Sequence, residues 1–558
     1  MYASSLFGDF ICDDYLVIVN NDFIKSVKNL TLLFSRSYLS ESLDPLLYKG
    51  LPDIGTGETT YRPVATLSYF FSYALFKLHP LGYRLTNILI HIINAILIYL
   101  LLNIIFSRPK FSLICAILFG IHPVNAEVLN CAAFRPNSLA LLFSLSAIIL
   151  YFKFKDARDK FKFFYLAVSL FSAVLATFCK EIAVVLPLAL ILCEYYKTDD
   201  NLKQLFLNWR FYVLYFFIDV FYLLVYFFIM PPTQHFFTSA SLFNNLIRTF
   251  DVLGIYLKEM FFPLNVVLIP PMTIMKSYFR IAFASLAALL SIFVVLRKRR
   301  FRKELSFGIF WFFIWLFPMN NFIVSSRILV ANRFLYAPLV GFSMVMGTIL
   351  IDIQESLFLK KTILKYAAVF ACFGYFSIFT ISTNASWNND VILSLSVVEK
   401  YPLNPYAHID LAEKWLRKGN DWEALNELNI AMSKGPRDMD TFDVARAYSM
   451  SGLIYIKQHA YAKAEERYLQ AINLFPRMPY FYVALGGCYG KQGLYEKALQ
   501  QFELAKKINP SFFIAYIKSG QVYMLMRRYA EAKREFLAAL KIYPKSDEAK
   551  MYLERIKE

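Results

Sequence analysis

Between residues 84 and 382 the chain returns repeatedly to long apolar runs, at about 84–106, 111–122, 138–152, 163–178, 182–196, 211–230, 280–296, 306–323, 334–351 and 363–382. In hydrocarbon no water is present to hydrogen-bond the backbone, so a chain crosses as a helix or a closed barrel, and a helix needs roughly 20 apolar residues to do so. Ten runs in series therefore predict ten membrane helices, several of them with edges extending beyond the apolar stretch itself. The composition agrees, because 58% of the 558 residues are hydrophobic and 18% are aromatic, a balance too apolar for a soluble chain.

The net charge of +18 sits in short basic clusters between the apolar runs, which sets membrane orientation and gives no sign of nucleic-acid binding. Arg108 and Lys110, the Lys153–Lys162 cluster, Lys197 and Lys203, the Arg297–Lys303 cluster, and Lys360 with Lys361 fall in alternate loops, which the positive-inside rule makes cytoplasmic. The opposite face receives the acidic segment 8–62, the His122–Asn137 loop, the turn at Lys180-Glu181, the 231–279 loop, Asn320–Arg333 and everything after Ser382. Two further apolar stretches, 63–78 and 246–262, would invert later basic loops if they crossed; they are expected to be interfacial or re-entrant helices, the second with the amphipathic look of a helix lying at the surface. Met1–Phe7 is too short to be the core of a cleavable leader.

After the last apolar run the pattern changes. Pro402, Pro436, Pro476, Pro510 and Pro544 are spaced by 34, 40, 34 and 34 residues, and 34 is the tetratricopeptide period. Aligned on the prolines, Gly452, Gly486 and Gly520 superimpose, as do Ala464, Ala498 and Ala532, and then Tyr468, Phe502 and Phe536. Small residues let paired helices approach and the aromatics fill the space between them, so only a stack of repeats buries a continuous core. About four helix pairs are predicted, preceded by a half-repeat at Asn388–Pro402, and the concave face of such a stack suits a protein partner.

Chemistry is sought among the polar residues of the outward face. Asp13 and Asp14 are adjacent, and repulsion between neighbouring carboxylates raises the pKa of one and suits a general base, although an acidic turn would look the same. Arg62, Arg84, His122, Glu127, Arg135, Lys180, Glu181 and Arg333 mark the same face, and several cations together suit a phosphate. The seven cysteines show no C-x-x-C spacing and sit mostly in apolar runs, which indicates neither a zinc site nor a disulfide framework. No nucleophile elbow, Walker loop, H-E-x-x-H or dinucleotide fingerprint occurs, and no paired helix breaks suggest a transporter.

In their order along the chain, Gly8-Asp9-Phe10, Asp13-Asp14, Asn20-Asn21-Asp22, Tyr61-Arg62-Pro63, Gly82-Tyr83-Arg84 through His91, His122-Pro123-Val124-Asn125-Ala126-Glu127, Lys180-Glu181, Asn332-Arg333-Phe334-Leu335-Tyr336 and the repeats resemble the GT-C glycosyltransferases. Within these they resemble the transmembrane and tetratricopeptide-repeat proteins, whose animal members are O-mannosyltransferases. The resemblance implies about eleven spans, ten here and one before Met1, and a polyisoprenyl-phosphate sugar donor used with inversion and without a cofactor, a divalent cation being used by some relatives. It implies that Asp13 or Asp14 is the base and that Arg333, backed by Arg84, Arg135 and Lys180 with Glu181 and His122 nearby, holds the lipid phosphate. Arg135-Pro136-Asn137 stands where relatives place Arg-x-Asp, so no second acid is expected there.

The expected architecture is all-α, a polytopic GT-C-like membrane helix bundle over residues 1–383 with its first outer loop at 8–83. A linker and half-repeat follow at 384–404, then a tetratricopeptide-repeat solenoid at 405–558. The expected function is sugar transfer from a polyisoprenyl phosphate to a hydroxyl on a protein bound by the repeats, in a bacterial inner membrane or the endoplasmic reticulum. Partners are that lipid, membrane lipids and the acceptor protein, with no nucleic acid and no metal site. The alternative is a membrane-anchored scaffold without enzymatic activity. Of the two glycosylation sequons, Asn29-Leu30-Thr31 and Asn384-Ala385-Ser386, both are expected on the outer face.

Overall fold

The computed structural model describes residues 1–34, 61–158, 160–199, 201–229, 242–264, 266–268, 277–296, 303–319, 330–355, 362–433, 441–544 and 546–557. Among these the regular structure is helical throughout, with no strand. The chain divides into two compact units, one built from the described residues up to Ser396 and the other from Val397 onward.

Among the described residues of the first unit six helices are long and apolar enough to cross a bilayer, namely Pro80–Phe106, Ala132–Asp156, Lys162–Cys179, Trp209–Ile229, Pro338–Glu355 and Tyr366–Ser386. A seventh span arises if Pro109–Ile121 and Pro123–Asn130, bent by 49° at their junction, are counted together. This multi-pass bundle has fewer full-length spans than the ten apolar runs predict, and the reason is local. The 182–196 run begins as a tight 3-10 turn, Glu181–Val185, before the helix Leu186–Lys197 starts with Pro187 in its first turn. The 306–323 run is helical over Lys303–Leu316, about 21 Å at 1.5 Å per residue, and its end lies outside the described residues. Tyr278–Val294 is likewise a shorter apolar helix, and so is Pro63–Phe76, in the stretch 63–78 that is not counted as a span.

Prolines open several of these helices, at Pro63, Pro80 and Pro109, where the missing N–H costs nothing and the ring presets φ. Pro80–Phe106 ends where Ser107 adopts φ +53° and its N–H bonds Asn103 O. The interior of the bundle is packed with side chains such as Leu102, Trp311, Trp315 and Leu339, while Phe217, Phe221, Leu224 and Phe228 of one helix remain exposed. Apolar side chains on the outside of an apolar core are what a lipid-facing surface requires.

The helix Leu242–Phe261 is amphipathic and is not among the described helices apolar enough to cross, as expected of the 246–262 stretch, and one side of it packs into the bundle. It buries Asp251, Glu259, Tyr256 and Met260, and Asp251 takes two hydrogen bonds from Arg280, at 2.7 and 3.1 Å. A Cβ on Gly254 would fall 2.7 Å from Arg280 O, so the helix packs backbone to backbone against Tyr278–Leu296. Asp251 serves that contact.

Among the described residues the second unit contains four helix pairs, Pro405–Arg417 with Asp421–Ser433, Thr441–Lys457 with Tyr461–Leu474, Pro479–Lys491 with Tyr495–Ile508, and Phe513–Leu525 with Tyr529–Ile542, closed by Asp547–Lys557. A Cβ added at Gly452, Gly486 or Gly520 would meet the ring of Tyr468, Phe502 or Phe536 at 2.9, 2.4 and 2.6 Å, which is why those positions are glycine. The turn inside every pair passes through one left-handed residue, Gly419, His459, Gly493 and Arg527 in order, at φ +80°, +59°, +77° and +58°.

Candidate functional site

The first 34 residues fold as short 3-10 and π turns upon one end of the bundle. Arg84, in the second turn of Pro80–Phe106, anchors them. Its buried guanidinium donates to Ser5 O at 2.7 Å, to Asn130 Oδ1 and Trp387 O at 3.2 Å each, and to Asp9 O. Gly8 makes room for it, since a Cβ there would lie 2.4 Å from Arg84 Nη1. The Asp9 N–H donates to Asn388 O and the Cys12 N–H to Asp390 Oδ1, both at 2.8 Å.

This anchoring separates the two adjacent acids. Asp14 is buried, and its carboxylate accepts from Ala133 N–H at 2.7 Å, Ile11 N–H at 3.1 Å and the Cys131 thiol at 3.3 Å. Burial pushes its pKa up to about 6, with those hydrogen bonds and Arg84 acting in the opposite direction. The cause is desolvation, where repulsion from Asp13 had been expected. Asp13 is exposed, and its charge acts on Arg333.

Arg333 lies on the short turn Asn332–Leu335. Its Nη1 donates to Glu127 Oε1 and its backbone N–H to Glu127 Oε2 at 3.2 Å, and its guanidinium rests 4.2 Å from the Phe134 ring centroid. Burial alone would weaken its charge, but Glu127 and Asp13 more than compensate and raise its pKa. The Phe334 ring links this group to a second cation, because Arg333 Cζ lies 5.3 Å and Lys180 Nζ 5.4 Å from its centroid. Lys180 donates to Asn137 Oδ1 at 2.6 Å. Its neighbour Glu181 accepts from Arg62 Nε and Nη2 at 3.1 and 2.6 Å. Burial would raise the Glu181 pKa, yet Arg62 and Lys180 hold it down at about 2.

Arg333, Lys180 and Glu181 are therefore brought together, with the Asp13 charge acting on Arg333, while three other sequence candidates are engaged elsewhere. Arg84 spends its donors on main-chain carbonyls and Asn130, as above. Arg135 is fully buried between the rings of Tyr69 and Tyr83 and donates to Asn87 Oδ1, Ser72 Oγ and Ser68. His122 is buried too, its Nε2 2.9 Å from Met260 O and its Nδ1 accepting from Val124 N–H. Asn384, the second sequon residue, is buried and accepts from Asn130 Nδ2 at 2.7 Å. Sequence reasoning gave no role to Glu127, Asn137, Phe134 or Phe334. Glu127 was visible only as an acid ending the His122-Pro123 stretch, and its partner lies 206 residues away.

The architecture is thus that of a multi-pass membrane protein carrying a tetratricopeptide array, with a cluster of exposed acid and paired cations at one end of its bundle. Tetratricopeptide repeat patterns match residues 450–511 and 514–546. Among curated proteins the chain is similar to protein O-mannosyl-transferase F38B6.6 of Caenorhabditis elegans, 32% identical over 29% of this chain and 22% of that one. It is also similar to human protein O-mannosyl-transferase TMTC3, 27% identical over 32% of this chain and 19% of the relative, and to mouse TMTC4, 29% identical over 32% and 26%. The chain thus spans about a fifth to a quarter of the length of these relatives. Among solved structures, that of MamA covers 28% of this chain and 87% of its own, with 24% identity and a TM-score of 0.24.

Proposed function

We propose that this protein is a membrane-embedded, inverting protein glycosyltransferase that moves a sugar, mannose in the first instance, from a polyisoprenyl phosphate to a hydroxyl on a protein recruited by the repeats. The observation that carries the reading is the placement of two cations, Arg333 and Lys180, on the ring of Phe334, with the charge of the exposed carboxylate Asp13 acting on Arg333. The similarity to proteins named protein O-mannosyl-transferases supports the reaction class.

In this reading Asp13 takes the proton of the acceptor hydroxyl as its oxygen attacks the anomeric carbon from the face opposite the phosphate. The bond from that carbon to the phosphate oxygen breaks, and its electron pair leaves with the polyisoprenyl phosphate. The growing charge on that phosphate is met by Arg333 and Lys180, held in place before reaction so that no reorganisation is needed. The proton on Asp13 then passes to water. Asp14, already accepting three hydrogen bonds, shapes the turn that presents Asp13. The lipid-linked sugar is a co-substrate and no resident cofactor takes part. In this reading the first loop and the repeats both face the non-cytoplasmic side, an orientation that the basic clusters of the alternate loops support.

The test is transfer of radiolabelled mannose from dolichyl phosphate mannose to proteins of membranes containing the full chain. Wild type labels them, and Asp13→Asn reduces labelling by about 100-fold or more while leaving the protein folded, in line with loss of a positioned base. Absence of labelling by a folded wild type, with partners still captured by the repeats, would favour a scaffold.

A further inference from the structure

We infer that Glu127 is the positioning residue of this site, the group that keeps Arg333 available to a phosphate and apart from Asp13; the inference rests on the reading of Arg333 as a phosphate-binding cation. Glu127 lies on the five-residue helix Ala126–Asn130 and is wholly buried. Its two carboxylate oxygens are divided, one accepting the Arg333 main-chain N–H at 3.2 Å and the other Arg333 Nη1. A single carboxylate thereby ties down both ends of the same residue, and the Phe134 ring at 4.2 Å covers a face of the guanidinium. The side chain of Arg333 keeps 11% exposure, against 1% for that of Glu127. Among the described residues its Nε–H and Nη2 hydrogens are not used, which leaves two adjacent donors in the fork geometry that suits two phosphate oxygens.

Two acids act on this guanidinium, Glu127 through hydrogen bonds that tie down its main-chain N–H and its Nη1, and the exposed Asp13 through its charge alone. Attraction across low-dielectric surroundings is stronger than attraction through water, so Arg333 stays with Glu127 and Asp13 is left for the acceptor hydroxyl. Without the Glu127 charge, Arg333 loses the carboxylate that ties down both its main chain and its guanidinium, and the phosphate loses a fixed ligand. Glu127 touches neither substrate in this arrangement and works entirely through Arg333.

The experiment uses the full chain in lipid nanodiscs, with dolichyl phosphate binding read by native mass spectrometry. Transfer from dolichyl phosphate mannose to a serine- and threonine-rich probe peptide is read kinetically. Glu127→Gln, which keeps shape and removes charge, raises the donor KM and weakens dolichyl phosphate binding by about tenfold or more, as misplacement of a binding group does. The KM for the peptide and the melting temperature stay unchanged, and Glu127→Asp restores part of the loss. A merely structural Glu127 would lower the melting temperature and shift both KM values together, which overturns the inference. So does a donor KM within about twofold of wild type in a variant that transfers, an outcome that leaves the glycosyltransferase reading standing. If wild type binds dolichyl phosphate, Glu127→Gln binds it weakly and neither transfers, the transferase reading fails and the positioning role stands. Wild type that neither binds nor transfers overturns both. Should Glu127→Gln not fold, Glu127→Asp carries the same comparison.

Discussion

The end of the bundle that carries the site and the repeat array bury their side chains on opposite principles. At the site end, Arg84, Arg135, Asp14 and Glu127 are charged and almost wholly buried, each held by partners distant in sequence. In the array, the buried positions are alanines and aromatics repeated every helix pair, such as Ala498 with Phe502 and Ala532 with Phe536, and each unit packs on its neighbour. The first arrangement fails as a network when one member is removed, because every lost partner leaves a buried polar group unsatisfied. The second fails locally, since stability in a solenoid is a sum over units and their interfaces.

The largest test of that contrast is Arg84→Met. It strands the carbonyls of Ser5, Asp9 and Trp387, at about 1–3 kcal/mol for each unsatisfied group, and is expected to release the N-terminal segment. Limited proteolysis should cut between Gly8 and Lys25 in the variant and not in wild type, with unfolding of the array unchanged. Protection of that segment in Arg84→Met would mean the anchoring is distributed.

Asp14 sharpens the comparison through pH. Its folded pKa of about 6 stands above the ordinary 3.8, so between those values the folded chain keeps a proton that the unfolded chain has lost. This group's contribution is fully present below about pH 4 and is lost as pH rises through 6, a difference of about 3 kcal/mol at 1.36 kcal/mol per unit. Melting of the bundle should follow that slope in wild type, and Asp14→Asn should flatten it.

Two smaller effects belong to the array. Gly486→Ala forces a methyl against the Phe502 ring and Ala498 O and is expected to cost about 1–3 kcal/mol in the transition of the array alone. Arg527→Gly relieves an exposed left-handed residue at the turn position where two other repeats already have glycine, and should stabilise by about 1 kcal/mol. Denaturant unfolding of the full chain reads both, and an effect of either on the bundle transition would break the local picture.

Much of the fold was legible before any coordinates. Apolar runs announced the bundle and the 34-residue proline spacing announced the array, because both signals are periodic and local. The span count was less legible, since an apolar run such as 182–196 does not reveal that a 3-10 turn and Pro187 occupy its first residues. At the site, Arg333, Lys180 and Glu181 come together in the structure, yet Arg84, Arg135 and His122, expected beside them, looked identical to them in sequence. An arginine reads the same whether its guanidinium meets a ligand or four carbonyls.

By itself, then, the sequence determined the class of this protein, helices in lipid followed by stacked helix pairs, because hydropathy and period act over neighbouring residues. Only the tertiary structure decided which of two adjacent aspartates is buried and which is exposed, and that Glu127 meets Arg333. Those outcomes depend on contacts between segments some 119 and 206 residues apart, where desolvation and partner geometry, invisible along the chain, choose between chemically equal side chains.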